Sequence, residues 1–182
     1  MSKRLRLMKR ETVYRGRVLQ VVRETIACGD QRMVRETILH PGSVVIVPMA
    51  GPSSLVFVRQ YRRALDRTIL ELPAGTLAPG EPPLQCAKRE LEEETGWRAA
   101  RWRGLGRFYP APGFLAEHMT IFLAQELRPG PARPEPDEIL TPVRLSLSEA
   151  LRKIRSGAIC DAKSIIGVLF AQQWLAKHRC EA

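Results

Sequence analysis

Four glutamates fall within five positions of the chain: Glu90, Glu92, Glu93 and Glu94. In a helix, Glu90, Glu93 and Glu94 are three and four residues apart, so their carboxylates share one face. Like charges at that spacing destabilise a helix by about 0.2–0.5 kcal/mol per pair. Gly96 predicts a helix end, where the dipole also disfavours anions. Acids placed against local preference indicate an external cation, and all-oxygen ligands suit Mg²⁺ or Mn²⁺. A solvated acidic face is the alternative.

The residues around this cluster follow a fixed spacing that continues on both sides of it. Its members are Gly75, Glu81, Arg89, Glu90, Leu91, Glu93, Glu94, Gly96 and Trp97. This is a complete match to the Nudix box, Gly-x5-Glu-x7-Arg-Glu-apolar-x-Glu-Glu-x-Gly-apolar. The chain therefore resembles the Nudix hydrolases. In the box, Arg89 is interpreted as an ion-pairing partner of the glutamates, and Gly75 as a source of backbone freedom.

Segments outside the box resemble one branch of that family, the ADP-ribose pyrophosphatases. These segments are Val-Arg-Gln-Tyr-Arg at 58–62, Glu-Leu-Pro-Ala-Gly at 71–75, Pro112 fifteen residues after the box, and Asp-Ala-Lys-Ser-Ile-Ile at 161–166. The resemblance implies an α/β fold, the Nudix α/β/α sandwich with a mixed sheet. It also implies an N-terminal antiparallel β-extension at residues 1–40 that exchanges contacts between the subunits of a homodimer, followed by a hydrolase domain at 41–182.

The implied reaction is divalent-metal-dependent hydrolysis of ADP-ribose to AMP and ribose 5-phosphate. Glu90, Glu93 and Glu94 are the implied metal ligands, together with the carbonyl of Ala74, and Mg²⁺ is the expected cofactor, with Mn²⁺ as a second possibility. Glu93 and Glu94 thereby belong to the catalytic set. Another nucleoside diphosphate sugar or a dinucleotide is the alternative substrate. A non-catalytic nucleotide or nucleic-acid binder is the alternative outside enzymes.

Members of this branch often take the general base from a mobile loop outside the box. Glu138 is the favoured base here, with Glu135 and Asp137 as rivals in the same Pro-rich segment. For each of these acids, the alternative role is that of a solvated loop residue without a part in catalysis.

The substrate contacts expected from the sequence are Arg62, Arg35, Pro112 and Glu117. Arg62 is suited to a bidentate phosphate contact, and Arg35 to the same contact from the other subunit. Glu117 resembles the acid that binds the terminal ribose hydroxyls. Surface salt bridging is the alternative for each charged residue. The positions near Val18, Leu19 and Val45 are aliphatic where relatives often stack adenine on aromatic rings, so substrate preference is left open.

The elements that position these residues follow from apolar patterning and turn signals. Strands are predicted at 13–27, 31–39, 43–48, 55–60, 103–108, 118–124 and 140–145. Pro82 and Pro83 predict the start of the box helix, and Gly96 predicts its end. Ser146 and Glu149 form a capping box that opens a helix ending at Gly157, and a last helix is predicted at 164–177.

Composition places the chain among globular proteins and argues against membrane-spanning, disulfide-framework and mainly nucleic-acid-binding proteins. The 182 residues are 45% hydrophobic and 26% charged, without an apolar run near the roughly 18 residues of a membrane span. A cytoplasmic location is expected. The four cysteines have no spacing typical of zinc or disulfide frameworks. The net charge of +10 is concentrated in the N-terminus; it could steer polyanionic substrates, and nucleic-acid binding is not expected as the main role.

Overall fold

The computed structural model describes residues 4–130 and 140–178. Contacts divide the chain into two compact units. Of the described residues, the first unit contains 4–42 together with Tyr109–His118, and the second contains Ser43–Phe108 together with 119–130 and 140–178. No helix among the described residues is long and apolar enough to cross a membrane.

The first unit is built on an antiparallel three-stranded sheet in the order β1-β2-β3. Its strands are β1 (Arg6–Arg15), β2 (Gln20–Cys28) and β3 (Gln31–Leu39). Residues 109–118 join this unit through two backbone hydrogen bonds: the Ile38 N–H donates to the Phe114 carbonyl at 2.7 Å, and the Ala116 N–H donates to the Ile38 carbonyl at 2.9 Å. An antiparallel N-terminal sheet is confirmed.

The strand predicted at 13–27 is wrong in its bounds. The chain turns between Gly16 and Leu19, where the Gly16 N–H donates to the Leu19 carbonyl at 2.9 Å, and a separate strand begins at Arg6. Every residue of β1 is exposed, so this strand carries no alternation between buried and solvated positions that a sequence pattern could reveal.

The second unit contains a seven-stranded mixed sheet with helices on both faces. Its elements are β4 (Ser43–Gly51), β5 (Ser54–Arg62), β6 (Arg67–Glu71), β7 (Ala74–Thr76), α1 (Pro83–Thr95), β8 (Trp97–Phe108), β9 (Met119–Pro129), β10 (Leu140–Ser146), α2 (Leu147–Arg155) and α3 (Ala162–His178). The main strand order is β10-β5-β4-β9-β8, with β6 beside β5 and β7 beside β4. β4 and β9 run parallel, whereas the other pairs are antiparallel.

The central strand β4 supplies side chains to both layers of the sandwich. Val45, Val47 and Met49 belong to a core shared with α2 and α3, whereas Val44 and Ile46 belong to a core shared with α1. Successive side chains of a strand point to opposite faces, so one apolar run serves two cores. The expected α/β/α sandwich with a mixed sheet is confirmed.

The helix that carries the box has the ends that its sequence predicts. Pro82 precedes α1 in an extended conformation, and Pro83 occupies the first turn, where its missing N–H is not needed. Gly96 closes the helix in the left-handed conformation with φ 68°, and its N–H donates to the Glu92 carbonyl at 2.9 Å. These two ends set which glutamates lie in the last turns of α1.

The two remaining helices also agree with the sequence. Ser146 and Glu149 form both hydrogen bonds of the predicted capping box at the start of α2. This helix ends at Arg155, just before Gly157, whose φ is 75°. α3 begins two residues earlier than predicted and extends one residue further.

Candidate metal and active site

Two of the four glutamates of α1 are buried, and the other two are partly exposed and form ion pairs with different arginines. Glu90 and Glu94 are buried, with 9% and 3% of their surface exposed, and Glu93 is partly exposed. The Ala74 N–H donates to Glu94 Oε2 at 3.3 Å. Glu92 instead pairs with Arg98 at the surface, with 2.6 Å between Arg98 Nη2 and Glu92 Oε1. The spacing of the box therefore separates Glu92 from the other three glutamates.

Gly75 is required at its position because the Glu90 carboxyl group lies directly against its backbone. A Cβ atom at residue 75 would lie 1.9 Å from Glu90 Cδ and 2.0 Å from Glu90 Oε1. The φ of Gly75 is outside the left-handed region, so the interpretation of Gly75 as a source of backbone freedom is wrong. Gly75 leaves space for the Glu90 carboxylate. The pairing of β7 with β4 fixes the position of the Gly75 backbone.

Arg89 lies among three carboxylates. Its Nη1 atom donates to Glu90 Oε1 at 2.7 Å and to Glu93 Oε2 at 2.9 Å. Its Nε and Nη2 atoms donate to the two carboxylate oxygens of Glu81, both at 3.1 Å. The hydrogen bonds to Glu81 raise the pKa of Arg89, and Arg89 in turn lowers the pKa of Glu81 below its ordinary value. One guanidinium therefore offsets the repulsion among the acids, as its position in the box indicates.

Cys86 lies behind this cluster and remains a thiol. Burial, followed by the negative charges of Glu90 and Glu81, raises its pKa to about 12. Its Sγ atom lies 3.6 Å from the Thr76 carbonyl oxygen. A protonated, buried thiol is a poor nucleophile and a poor metal ligand. Cys86 therefore packs in the interior.

The donor set of the box fits a hard divalent cation. Glu90, Glu93 and Glu94 supply carboxylate oxygens from one helix face, and Gly75 leaves the space that the Glu90 carboxylate occupies. Across residues 4–130 and 140–178, no three acidic, histidine or cysteine side chains already converge closely enough to hold an ion. Arg89 instead bonds to Glu90 and Glu93.

Arg62 lies in a second charged cluster of the same unit. Arg62 Nη2 is 2.7 Å from Glu71 Oε1, and Glu71 is only 1% exposed. The other oxygen of Glu71 pairs with Lys163 of α3. Glu71 and Lys163 both lie in segments that resemble the family, yet neither residue was predicted from the sequence to have a role in the site. Their partnership spans 92 positions of the chain, so no local pattern could have revealed it.

The remaining predicted site residues lie in the first unit or outside the described residues. The Arg35 side chain is exposed on β3 and donates to the neighbouring Val34 carbonyl at 3.0 Å. Glu117 Oε1 lies 3.7 Å from His40 Nδ1, and Pro112 precedes it in Tyr109–His118. Glu138 lies in residues 131–139, outside the described residues, as do its rivals Glu135 and Asp137.

The fold is an α/β/α sandwich, and its helix α1 carries acidic side chains, one of which lies against Gly75. This arrangement is typical of a metal-assisted hydrolase. Similarity to known proteins identifies the family. The NUDIX domain profile matches residues 39–165. The chain belongs to the Nudix family, as its box indicates.

Known relatives match nearly the whole chain. It is 35% identical over 176 residues to the methanol dehydrogenase activator of Bacillus methanolicus, covering 94% of this chain and 95% of that protein. It is 34% identical over 166 residues to the ADP-ribose pyrophosphatase of Bacillus subtilis strain 168, covering 90% of each. A crystal structure of an ADP compounds hydrolase matches with a TM-score of 0.86 and 26% identity over 96% of both chains. The resemblance to the ADP-ribose pyrophosphatase branch is confirmed.

We expect Gly75→Ala to impair activity while the fold is retained. The added methyl group would overlap the Glu90 carboxyl group, so that carboxylate must leave its position against β7. Steady-state kinetics with Mg²⁺ should show a decrease in kcat of about tenfold or more, since small displacements of catalytic groups have large effects.

Gly104→Ala is the matched control for this variant. A Cβ at Gly104 meets no heavy atom within 4 Å, and Gly104 also lies in a strand of the mixed sheet. Its activity should stay close to wild type. Wild-type kcat in Gly75→Ala would show that the contact between Gly75 and Glu90 is not needed for catalysis.

Proposed function

We propose that this protein hydrolyses the pyrophosphate of ADP-ribose to AMP and ribose 5-phosphate with the help of divalent cations. The observation that carries the proposal is the glutamate cluster of α1. The Glu90 carboxyl group lies against Gly75 of β7, Glu94 accepts from the Ala74 N–H, and Arg89 bridges Glu90 and Glu93. Similarity over 90% of the chain to a protein named ADP-ribose pyrophosphatase supports the choice of substrate.

The proposed metal ligands are Glu90, Glu93, Glu94 and the carbonyl of Ala74. Mg²⁺ is the expected ion and Mn²⁺ is the alternative, because both prefer oxygen ligands. A bound divalent cation would screen the charge of the pyrophosphate and activate a water molecule. In this chain, Arg89 keeps Glu81, Glu90 and Glu93 from separating, since its guanidinium bonds to all three.

Four residues are the proposed substrate contacts. Arg62 is the phosphate contact of the second unit, because 39% of its side chain stays exposed while one side pairs with Glu71. Arg35, contributed from the other subunit, and Pro112 and Glu117 are the other proposed contacts. Replacing each in turn and measuring KM for ADP-ribose tests these assignments, and an unchanged KM removes the residue from the set.

The second candidate function is hydrolysis of another nucleoside diphosphate sugar or a dinucleotide. It is favoured by the aliphatic residues at positions 18 and 19, where relatives often present aromatic rings to adenine. Val45, a residue of β4, does not belong with them, because it is fully buried in the core that β4 shares with α2 and α3.

We further propose that the protein is a homodimer in the cytoplasm, with the N-terminal extension forming subunit contacts. Apolar side chains of the three-stranded sheet support the dimer: Leu7, Met8, Val13, Tyr14 and Val34 are all more than two-fifths exposed. Sedimentation velocity distinguishes a dimer from a monomer, and cell fractionation tests the location.

We predict that ADP-ribose is the preferred substrate. Purified protein with Mg²⁺ should release AMP and ribose 5-phosphate from ADP-ribose with a higher kcat/KM than from other nucleotide sugars or dinucleoside polyphosphates. Chromatography of the products measures this directly. Release of no AMP from ADP-ribose, alongside rapid cleavage of another compound, would replace the substrate while keeping the chemistry.

We predict that Glu93→Gln and Glu94→Gln each lower kcat by about 100-fold or more, because metal-ion charge stabilisation contributes several kcal/mol and each 1.36 kcal/mol is tenfold in rate. Glu92→Gln is the matched control on the same helix, since Glu92 pairs with Arg98 at the surface. The kcat of Glu92→Gln should stay within about twofold of the wild-type value, which corresponds to a change in activation free energy well under about 1 kcal/mol. Wild-type rates in both test variants would refute metal binding by this cluster.

Glu138→Gln tests the proposed general base. Loss of a base typically lowers turnover by about 10²–10⁴-fold, so kcat should fall far more than KM rises. Glu135→Gln and Asp137→Asn are the controls from the same segment. If Glu138→Gln keeps wild-type turnover and one of these controls loses it, the base is that other acid.

A further inference from the structure

The buried carboxylate of Glu71 is shared between two cations that approach from different elements. Arg62, at the end of β5, lies 2.7 Å from Oε1. Lys163, in the first turn of α3, pairs with Oε2. Glu71 is 1% exposed and the Lys163 side chain is 12% exposed. A carboxylate in such surroundings needs counter-charge, because burial strongly disfavours an uncompensated ion.

The start of α3 is attached to the segment that leads into the box. The Leu72 N–H donates to the Ser164 hydroxyl at 2.7 Å, and both groups are buried. Asp161 Oδ2 accepts from Lys163 Nζ at 2.9 Å and from the Ser164 N–H at 3.1 Å. Residues 161–164 thus bind the two residues, Glu71 and Leu72, that precede Pro73 and Ala74.

The charges in this cluster balance only when Lys163 is present. Two cations, Arg62 and Lys163, face two carboxylates, Glu71 and Asp161. Without Lys163, Arg62 becomes the cation that must compensate the buried carboxylate of Glu71 alone. Its guanidinium would then be attracted more strongly towards Glu71, and its field outside the protein would be weaker.

We propose that Lys163 is a positioning residue that keeps Arg62 available for a phosphate of the substrate by sharing the Glu71 carboxylate with it. The exposed part of Arg62 then presents N–H donors to the pyrophosphate, and Lys163 itself does not touch the substrate. This inference rests on the proposed function, because it assigns the phosphate contact to Arg62.

A double-mutant cycle between Lys163 and Arg62 tests the proposal. The variants are Lys163→Met, Arg62→Met and the double variant, with KM, kcat and thermal unfolding measured for each. Lys163→Met should raise KM for ADP-ribose by about tenfold, within the coupling range of residues in one charged network. It should leave kcat within about twofold, because the groups that act on the reacting atoms are unchanged. In the Arg62→Met background, Lys163→Met should raise KM no further.

Two controls separate charge sharing from a structural effect. Lys163→Arg retains the cation and should keep KM within about twofold of wild type, whereas Lys177→Met removes an exposed cation further along α3 and should also leave KM unchanged. Where Lys163→Met does not fold, Lys163→Gln replaces it in the same cycle. Where the double variant does not fold, because it leaves the buried Glu71 carboxylate without either cation, Lys163→Met is measured in the Glu71→Gln background instead, where it should raise KM no further. An equal rise in KM in both Arg62 backgrounds would overturn the proposal, as would a fall in kcat with KM unchanged.

The same assay distinguishes failure of this inference from failure of the proposed function. If the wild-type protein does not cleave ADP-ribose, the proposed function fails, and the cycle is measured with the nucleoside diphosphate compound that it does cleave. If no compound is cleaved, calorimetric Kd values for ADP-ribose replace KM. Non-additivity then supports the role of Lys163, and additivity contradicts it, whichever substrate is used.

Discussion

The repulsion among the glutamates of α1 is the constraint on which the rest of the site depends. Three acids near the carboxyl end of a helix oppose both one another and the helix dipole. Arg89 offsets this by bonding to Glu81, Glu90 and Glu93 at 2.7–3.1 Å. The remaining concentration of negative charge is what a divalent cation would neutralise. Helix stability alone does not explain why the acids are there.

The sandwich supports that cluster from below by fixing the segment before α1. β7 pairs with β4 through Ala74 and Gly75, and the Ile46 N–H donates to the Pro73 carbonyl at 2.8 Å. The Leu72 N–H donates to Ser164 of α3. The backbone around Ala74 is therefore held by the sheet and by a helix from the far end of the chain. Such attachment is what a metal site needs, because its ligands must keep their geometry while the ion binds.

Features of the fold that depend on local chemistry could be predicted from the sequence. Pro83 and Gly96 define α1, and Ser146 with Glu149 opens α2, because helix ends are set by groups within one turn of them. The apolar run at 43–48 predicted the strand that forms most of β4. β1 could not be predicted fully, since its residues are exposed throughout and the strand is defined by its pairing with β2.

The site likewise contains features that could be predicted from the sequence and features that could not. The glutamate spacing identified the acids that share a face of α1, but spacing could not show that Gly75 is needed for close approach of Glu90. Nor could it show that Glu71 lies between Arg62 and Lys163, because these contacts join segments distant in the chain. Burial of Val45 in the core likewise depends on packing.

Binding of Mn²⁺, followed by electron paramagnetic resonance, tests the central claim most directly, because it measures the ion without requiring turnover. Wild-type protein and Glu92→Gln should both deplete the signal of free aqueous Mn²⁺. The triple variant Glu90→Gln, Glu93→Gln and Glu94→Gln, shown to be folded by circular dichroism, should leave that signal undepleted. Wild-type Mn²⁺ binding by the folded triple variant would contradict the account of this glutamate cluster as a metal site.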